Sequence, residues 1–191
     1  MNVVSGNRQL VRICLFAALI GAFGLLPRLD IPLAAGVPIT AQSLGVMLCG
    51  LILGARAGAL AVLLFLFVVL LGMPLLAGGR GGLGVFATPT AGFLFGWIPG
   101  AYITGLIGGP AASGSNDRTI LFMRAITGTL AGGVLTVYAF GIPWLAWTSG
   151  MSFKAAALAT IIFVPGDLIK VFLAAGLTLY FNDARRAGLS A

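Results

Sequence analysis

The chain has 191 residues, 60% of them hydrophobic and only 8% charged, against about 45–50% apolar and about 25% charged residues in soluble domains. An ordinary water-soluble fold is excluded. Eleven Lys and Arg against four acidic residues give a net charge of +7, but the basic residues sit between long apolar runs, so they are read as a membrane-orientation code and not as a nucleic-acid surface. There is no His, and the four carboxylates (Asp30, Asp117, Asp167, Asp183) are dispersed along the chain. His-based acid/base catalysis and His-ligated metal are thereby removed. Cys14 and Cys49 lie in apolar stretches, form no CxxC and read as small hydrophobes.

A membrane-crossing helix needs about 20 apolar residues. In chain order the hydropathy pattern predicts six, at about 10–26, 40–54, 58–71, 90–108, 120–140 and 154–180. The expected fold is therefore an all-α integral membrane protein, a compact six-helix bundle forming one membrane domain over 1–191. Ala18 and Ala22 put a small-residue stripe on the first helix, open either to intramolecular packing or to a partner. A cleavable leader ending near Leu33-Ala34-Ala35-Gly36 is the alternative reading of this stretch. Residues 36–43 then bring Thr40, Gln42 and Ser43 into the start of the second helix, where polar groups bind a helix neighbour or line a cavity. The second and third helices are separated only by Ala55-Arg56-Ala57, and one broken helix is the alternative. Arg56 favours two, because an arginine at mid-membrane costs about 2.5–3.5 kcal/mol, whereas a cytoplasmic turn tolerates it.

The loop 73–89 contains Gly78-Gly79-Arg80-Gly81-Gly82-Leu83-Gly84. It matches GxGxxG formally, but no strand precedes it, so a dinucleotide fingerprint is discarded. What remains is a permissive loop offering Arg80 and backbone N–H groups to an anion, or a flexible connection with Arg80 at lipid head groups. Gly50, Gly54 and Gly58, then Gly92, Gly96 and Gly100, then Gly128 and Gly132 repeat every four residues and predict close helix crossings. Phe93, Trp97, Tyr102, Trp144 and Trp147 either wall a cavity or anchor the helices at the membrane interface. With the N-terminus inside, Arg8, Arg12, Arg56, Arg118, Arg124, Arg185 and Arg186 fall on one side and Arg28, Arg80 and Lys154 on the other. Both termini are therefore expected in the cytoplasm.

Asp167 and Lys170 lie three residues apart in the last span, directly after Pro165-Gly166. That spacing puts both on one helix face, and Pro-Gly is expected to open the helix locally. An ionisable pair at membrane depth is either a mutually neutralising staple or a site for a polar ligand carrying both donors and acceptors. No Walker A sequence and no chain of intramembrane acids is present, so uphill transport would need energy from another subunit.

Five ordered segments carry a family resemblance: Val37-Pro-Ile-Thr-Ala-Gln-Ser-Leu44, Leu53-Gly-Ala-Arg-Ala-Gly-Ala-Leu60, Leu71-Gly-Met-Pro-Leu75, Pro89-Thr-Ala-Gly-Phe93 behind the Gly-rich loop, and Pro165-Gly-Asp-Leu-Ile-Lys170. Over about residues 10–181 the chain resembles the BioY family, the biotin-specific substrate-capture (S) components of energy-coupling-factor transporters. The resemblance implies a multi-pass protein of the bacterial inner membrane that is not an enzyme and uses no cofactor. It implies biotin bound from outside beneath the external loops, with a transmembrane coupling subunit and a cytoplasmic ATPase pair as partners. It also implies that Asp167, Lys170 and Arg80 contact the ligand and that Ala18 and Ala22 meet the coupling subunit.

Biotin's ureido ring, apolar body and carboxylate assign Asp167 to the ureido N–H groups, Lys170 to a ligand oxygen and Arg80 to the carboxylate. Gln42 and Thr90 are secondary contacts. The chain departs from the family at Ala91-Gly92-Phe93, where Gly-Gly-Tyr is frequent and a hydroxyl is lost. Rival readings are capture of another vitamin, an intramembrane enzyme, or a channel subunit.

Overall fold

The structure is a computed structural model and describes residues 3–27, 40–110 and 117–189. Residues 28–39, with Arg28 and the expected leader boundary, and residues 111–116 lie outside the described residues. Helices make up the fold: α1 (Val3–Gly24), α2 (Gln42–Leu53), α3 (Ala55–Leu70), α4 (Ala91–Gly108), α5 (Arg118–Ser149), α6 (Phe153–Ile161) and α7 (Val164–Leu189). A short 3-10 turn, Leu83–Ala87, lies between α3 and α4. Among the described residues there is no strand, only an isolated bridge between Leu76 and Arg80.

Three of these helices, Ala91–Gly108, Arg118–Ser149 and the Val164–Ala184 part of α7, are long and apolar enough to cross a membrane. Their outward faces fit that solvent. Leu135, Phe172 and Leu106 are more than half exposed, as are Leu15 on α1 and Phe67 on α3. Water would disfavour such a surface, whereas hydrocarbon accepts it.

The chain breaks sharply at the α2/α3 junction. Gly54 adopts φ 85°, ψ 177°, which breaks the helix, and α3 restarts at Ala55. A residue with a Cβ rarely takes that φ. Arg56 consequently sits on the first turn of a new helix. The same end of the bundle holds the C-terminus of α4, since a Cβ on Gly105 would strike Ala55 and Gly54.

The α4 and α5 glycine repeats are helix crossings, whereas Gly54 of the first repeat ends α2. A Cβ on Gly92 would meet Trp144, one on Gly96 would reach Val137, and one on Gly100 would lie 2.8 Å from Gly132 O. From the other side, a Cβ on Gly132 would strike Gly100 O and Thr104. Helices α4 and α5 therefore touch backbone to backbone, the way bilayer helices gain van der Waals contact where lipid offers no hydrophobic drive. Within this crossing α5 widens into a π-helix over Thr129–Thr136. The Thr136 hydroxyl donates to Ala131 O, five residues back, at 2.8 Å.

Two helix boundaries differ from the hydropathy pattern for physical reasons. Instead of 120–140, α5 runs to Ser149, because Pro143 is accommodated inside it and only Gly150, at φ 64°, ends it. The 154–180 stretch is divided between α6 and α7 at Ile162 and Phe163. Pro165 lies in the first turn of α7, where no helical N–H partner is required. The local opening expected beside Pro165-Gly166 therefore falls at Ile162 and Phe163, just before it.

Candidate functional site

The start of α7 places Asp167 in its first turn, where a carboxylate complements the positive end of the helix. The Asp167 amide donates to Phe163 O at 2.9 Å, fixing that turn. Asp167 is buried, and its Oδ1 accepts from Lys170 Nζ at 2.9 Å. Lys170 also donates to Ser43 Oγ on α2 at 2.9 Å, and the hydroxyl of Tyr138 on α5 donates to Asp167 Oδ2 at 2.6 Å. Three helices thus close a single polar chain, Tyr138–Asp167–Lys170–Ser43.

That chain forms the polar wall of a cavity of about 80 Å3, with Thr40 contributing a further hydroxyl-bearing residue. The remaining walls are largely apolar and include Phe93, Trp97, Val137 and Phe163. A few convergent polar groups in an apolar enclosure are what a small-molecule site requires. After its bonds to Asp167 and Ser43, Lys170 retains a third N–H. Each Asp167 oxygen likewise retains acceptor capacity beyond the one donor it binds. The array presents a donor and an acceptor side by side.

Of the residues expected at the site, Asp167 and Lys170 line this cavity, while Gln42, Thr90 and Arg80 are not part of its described lining. Gln42 is fully buried with its amide held by main chain: Nε2 donates to Ile20 O (3.2 Å) and Leu75 O (3.1 Å), and Oε1 accepts from Ala77 N (2.9 Å). Two carbonyls and one N–H around the group determine which way the amide points. Its geometry ties the end of α1 and the loop after α3 to the start of α2. Gln42→Leu, which removes all three bonds, should lower stability by about 2–3 kcal/mol. Thermal unfolding in detergent checks this, and a change below about 0.5 kcal/mol would show that the three contacts have little weight.

Thr90 is buried beside Thr88, their hydroxyl oxygens 2.9 Å apart. Thr88 in turn donates to Val85 O at 2.7 Å, and its carbonyl accepts from Trp144 Nε1 at 2.9 Å, so the loop is pinned to α5. Arg80 is half-buried, its Nε donating to Ala77 O at 3.3 Å. Leu76 and Arg80 exchange backbone hydrogen bonds of 3.0 and 3.2 Å around Gly78 and Gly79, whose positive φ makes the reversal possible. With Leu76 and Ala77 buried, this loop is a folded plug and not a free connection.

Tyr138 lines the cavity and donates to Asp167, and sequence reasoning missed it. Its ring meets Phe93 edge-on, with centroids 6.3 Å apart at 86°. A phenolic hydroxyl is therefore present in the cavity although position 93 carries none.

Ala18 and Ala22 are exposed on α1, far along the chain from this cavity's lining, in an apolar groove of about 760 Å3. Phe16, Leu48, Ile52 and Leu177 from α1, α2 and α7 complete its walls. Among the described residues the stripe is thus left open.

Known proteins resemble the chain in sequence and in fold. The sequence model of the BioY family matches residues 1–187. A protein of Rhizobium etli named biotin transporter BioY is 48% identical over 172 residues, covering 88% of this chain and 90% of its own length. A protein of the same name from Rhodobacter capsulatus is 49% identical over 174 residues, covering 86% and 88%. Among solved structures, the S-component for biotin from an ECF-type ABC transporter superposes with a TM-score of 0.85 at 28% identity, covering 96% of this chain and 95% of that one. The chain belongs to the BioY family.

Proposed function

We propose that this chain captures biotin at the outer face of the bacterial inner membrane and serves as the S component of an energy-coupling-factor transporter. The observation that carries the reading is the half-buried Tyr138–Asp167–Lys170–Ser43 chain opening into a largely apolar cavity. The names borne by its relatives, biotin transporter BioY and S-component for biotin, support the same ligand.

The chemistry matches group by group. A ureido ring offers two N–H donors and a carbonyl. Asp167 accepts a ureido N–H, and the third N–H of Lys170 donates to the ureido oxygen. Phe93, Trp97 and Phe163 pack on the bicyclic body. The valeryl tail then runs toward the 72–90 loop, where Arg80 and backbone N–H groups meet the carboxylate. Gln42 and Thr90 act indirectly, by holding that loop and the start of α2.

In this reading the polypeptide crosses the bilayer six times, through α1, α2, α3, α4, α5 and the α6/α7 pair, with both termini cytoplasmic. The excess of Lys and Arg on one side supports that orientation. The open groove at Ala18 and Ala22 is where a transmembrane coupling subunit docks, joined to a cytoplasmic ATPase pair that supplies the energy this chain has no motif to provide.

Arg80→Ala should weaken the free acid of biotin about tenfold while leaving the corresponding amide within about twofold, since only the acid gains from a charge-assisted bond. Equal losses for the two ligands would remove Arg80 from the carboxylate. Uptake of labelled biotin by cells lacking their own importer tests the function itself. Saturable accumulation is expected when the chain is expressed with a coupling module. No accumulation, with the protein present in the membrane, would contradict it.

A further inference from the structure

Tyr138 reaches the site by an unusual route. The π-helical stretch Thr129–Thr136 ends one residue before Val137, and both Val137 and Tyr138 face the cavity together with Gly133 from within the π-turns. A π-helix closes its bonds five residues back, so it turns the following helix relative to an α-helical register. The Thr136 hydroxyl, bonded to Ala131 O, supports the widened turn at its end. The Phe93 ring then braces the phenol from the α4 side.

What the phenol does there follows from the carboxylate's degrees of freedom. The terminal torsion of Asp is broad and roughly two-fold, so one hydrogen bond does not fix the plane of the group. Lys170 holds Oδ1 alone and lies on the same helix as Asp167. Tyr138 holds Oδ2 from a different helix, at 2.6 Å. Two donors from two directions fix the plane and leave the remaining lone pairs aimed in one direction.

We infer that Tyr138 is a positioning residue for ligand capture: its hydroxyl, delivered by the π-helical segment of α5, orients Asp167 so that the carboxylate meets the ligand's N–H donor without rearranging. The inference rests on the reading of Asp167 as the acceptor for biotin. It assigns Tyr138 no direct contact with the ligand, and its effect passes through Asp167.

A double-mutant cycle on purified protein tests it, with biotin affinity and dissociation rate measured for the parent, Tyr138→Phe, Asp167→Asn and the double variant. Phe keeps the ring against Phe93 and removes only the hydroxyl, so the variant should stay folded, which thermal unfolding on the same samples checks. Tyr138→Phe is expected to weaken biotin about tenfold, mainly through faster dissociation. In the Asp167→Asn background the same change should matter less than about twofold, because the group it orients is gone. A tenfold loss in both backgrounds would assign Tyr138 an independent role and overturn the inference, as would parental affinity in Tyr138→Phe. Parental affinity in Asp167→Asn would instead overturn the reading of the site, and the inference with it.

Discussion

Asp167→Asn should weaken biotin binding by about 100-fold or more, about 2.8 kcal/mol, while the bundle stays folded. Asn fits the same space, so the loss comes from charge and hydrogen-bond polarity. A carboxylate only accepts, whereas the amide turns one of its two positions into a donor that opposes the ligand's N–H. The charge-assisted bond itself is worth about 1.5–3 kcal/mol where water is excluded. The same substitution strands Lys170, whose side chain is only 13% exposed, and breaking one side of a buried ion pair is more damaging than removing both. Asp167→Asn combined with Lys170→Met should therefore regain melting temperature without regaining binding. Calorimetric titration and thermal unfolding on the same samples check both statements. Near-parental affinity in the single variant would remove Asp167 from the ligand.

The second large effect concerns the α4/α5 crossing and is one of folding. Gly132→Leu should prevent accumulation of a folded, monodisperse protein. A Cβ there meets backbone, Gly100 O and the Thr104 amide, as well as the Thr104 hydroxyl, and no rotamer change relieves contact with backbone. Overpacking ordinarily costs about 1–3 kcal/mol, and a rigid helix pair puts this site at the upper end or beyond. The matched control is Gly176→Leu on α7, where an added Cβ meets nothing within 4 Å. Detergent-extracted yield and size-exclusion profile distinguish the two. Equal behaviour of both variants would mean that α4 and α5 do not meet in this register.

What the sequence made legible, and what it did not, follows from the kind of signal involved. Asp167 and Lys170 stood out because two charges three residues apart in an apolar stretch have few reasons to exist in lipid. The α4 and α5 glycines stood out because a four-residue period survives in any straight helix. Tyr138 left no such mark. A tyrosine among Val, Ala and Phe is ordinary in a membrane helix, and its direction depends on a π-helical register that residue spacing does not encode.

Gln42 shows a different limit. Sequence established that a buried amide must find partners, but not whether those partners would be a ligand or the main chain; here they are Ile20, Leu75 and Ala77. Helix ends were blurred by proline. Pro143 lies inside α5, beyond the predicted end at about 140, while Pro165, expected to open the helix, lies in the first turn of α7 just after the break. Prolines at the two positions differ only in whether the preceding residues already form a helix, which is a tertiary outcome.

The most direct test of the account is equilibrium binding of biotin to the purified, detergent-solubilised protein without ATP, with dethiobiotin, thiamin and riboflavin as competitors. The account predicts saturable one-site binding that needs no nucleotide, competed by dethiobiotin, which keeps the ureido ring, and not by thiamin or riboflavin. Absence of biotin binding by a demonstrably folded sample, or displacement by thiamin or riboflavin, would contradict it.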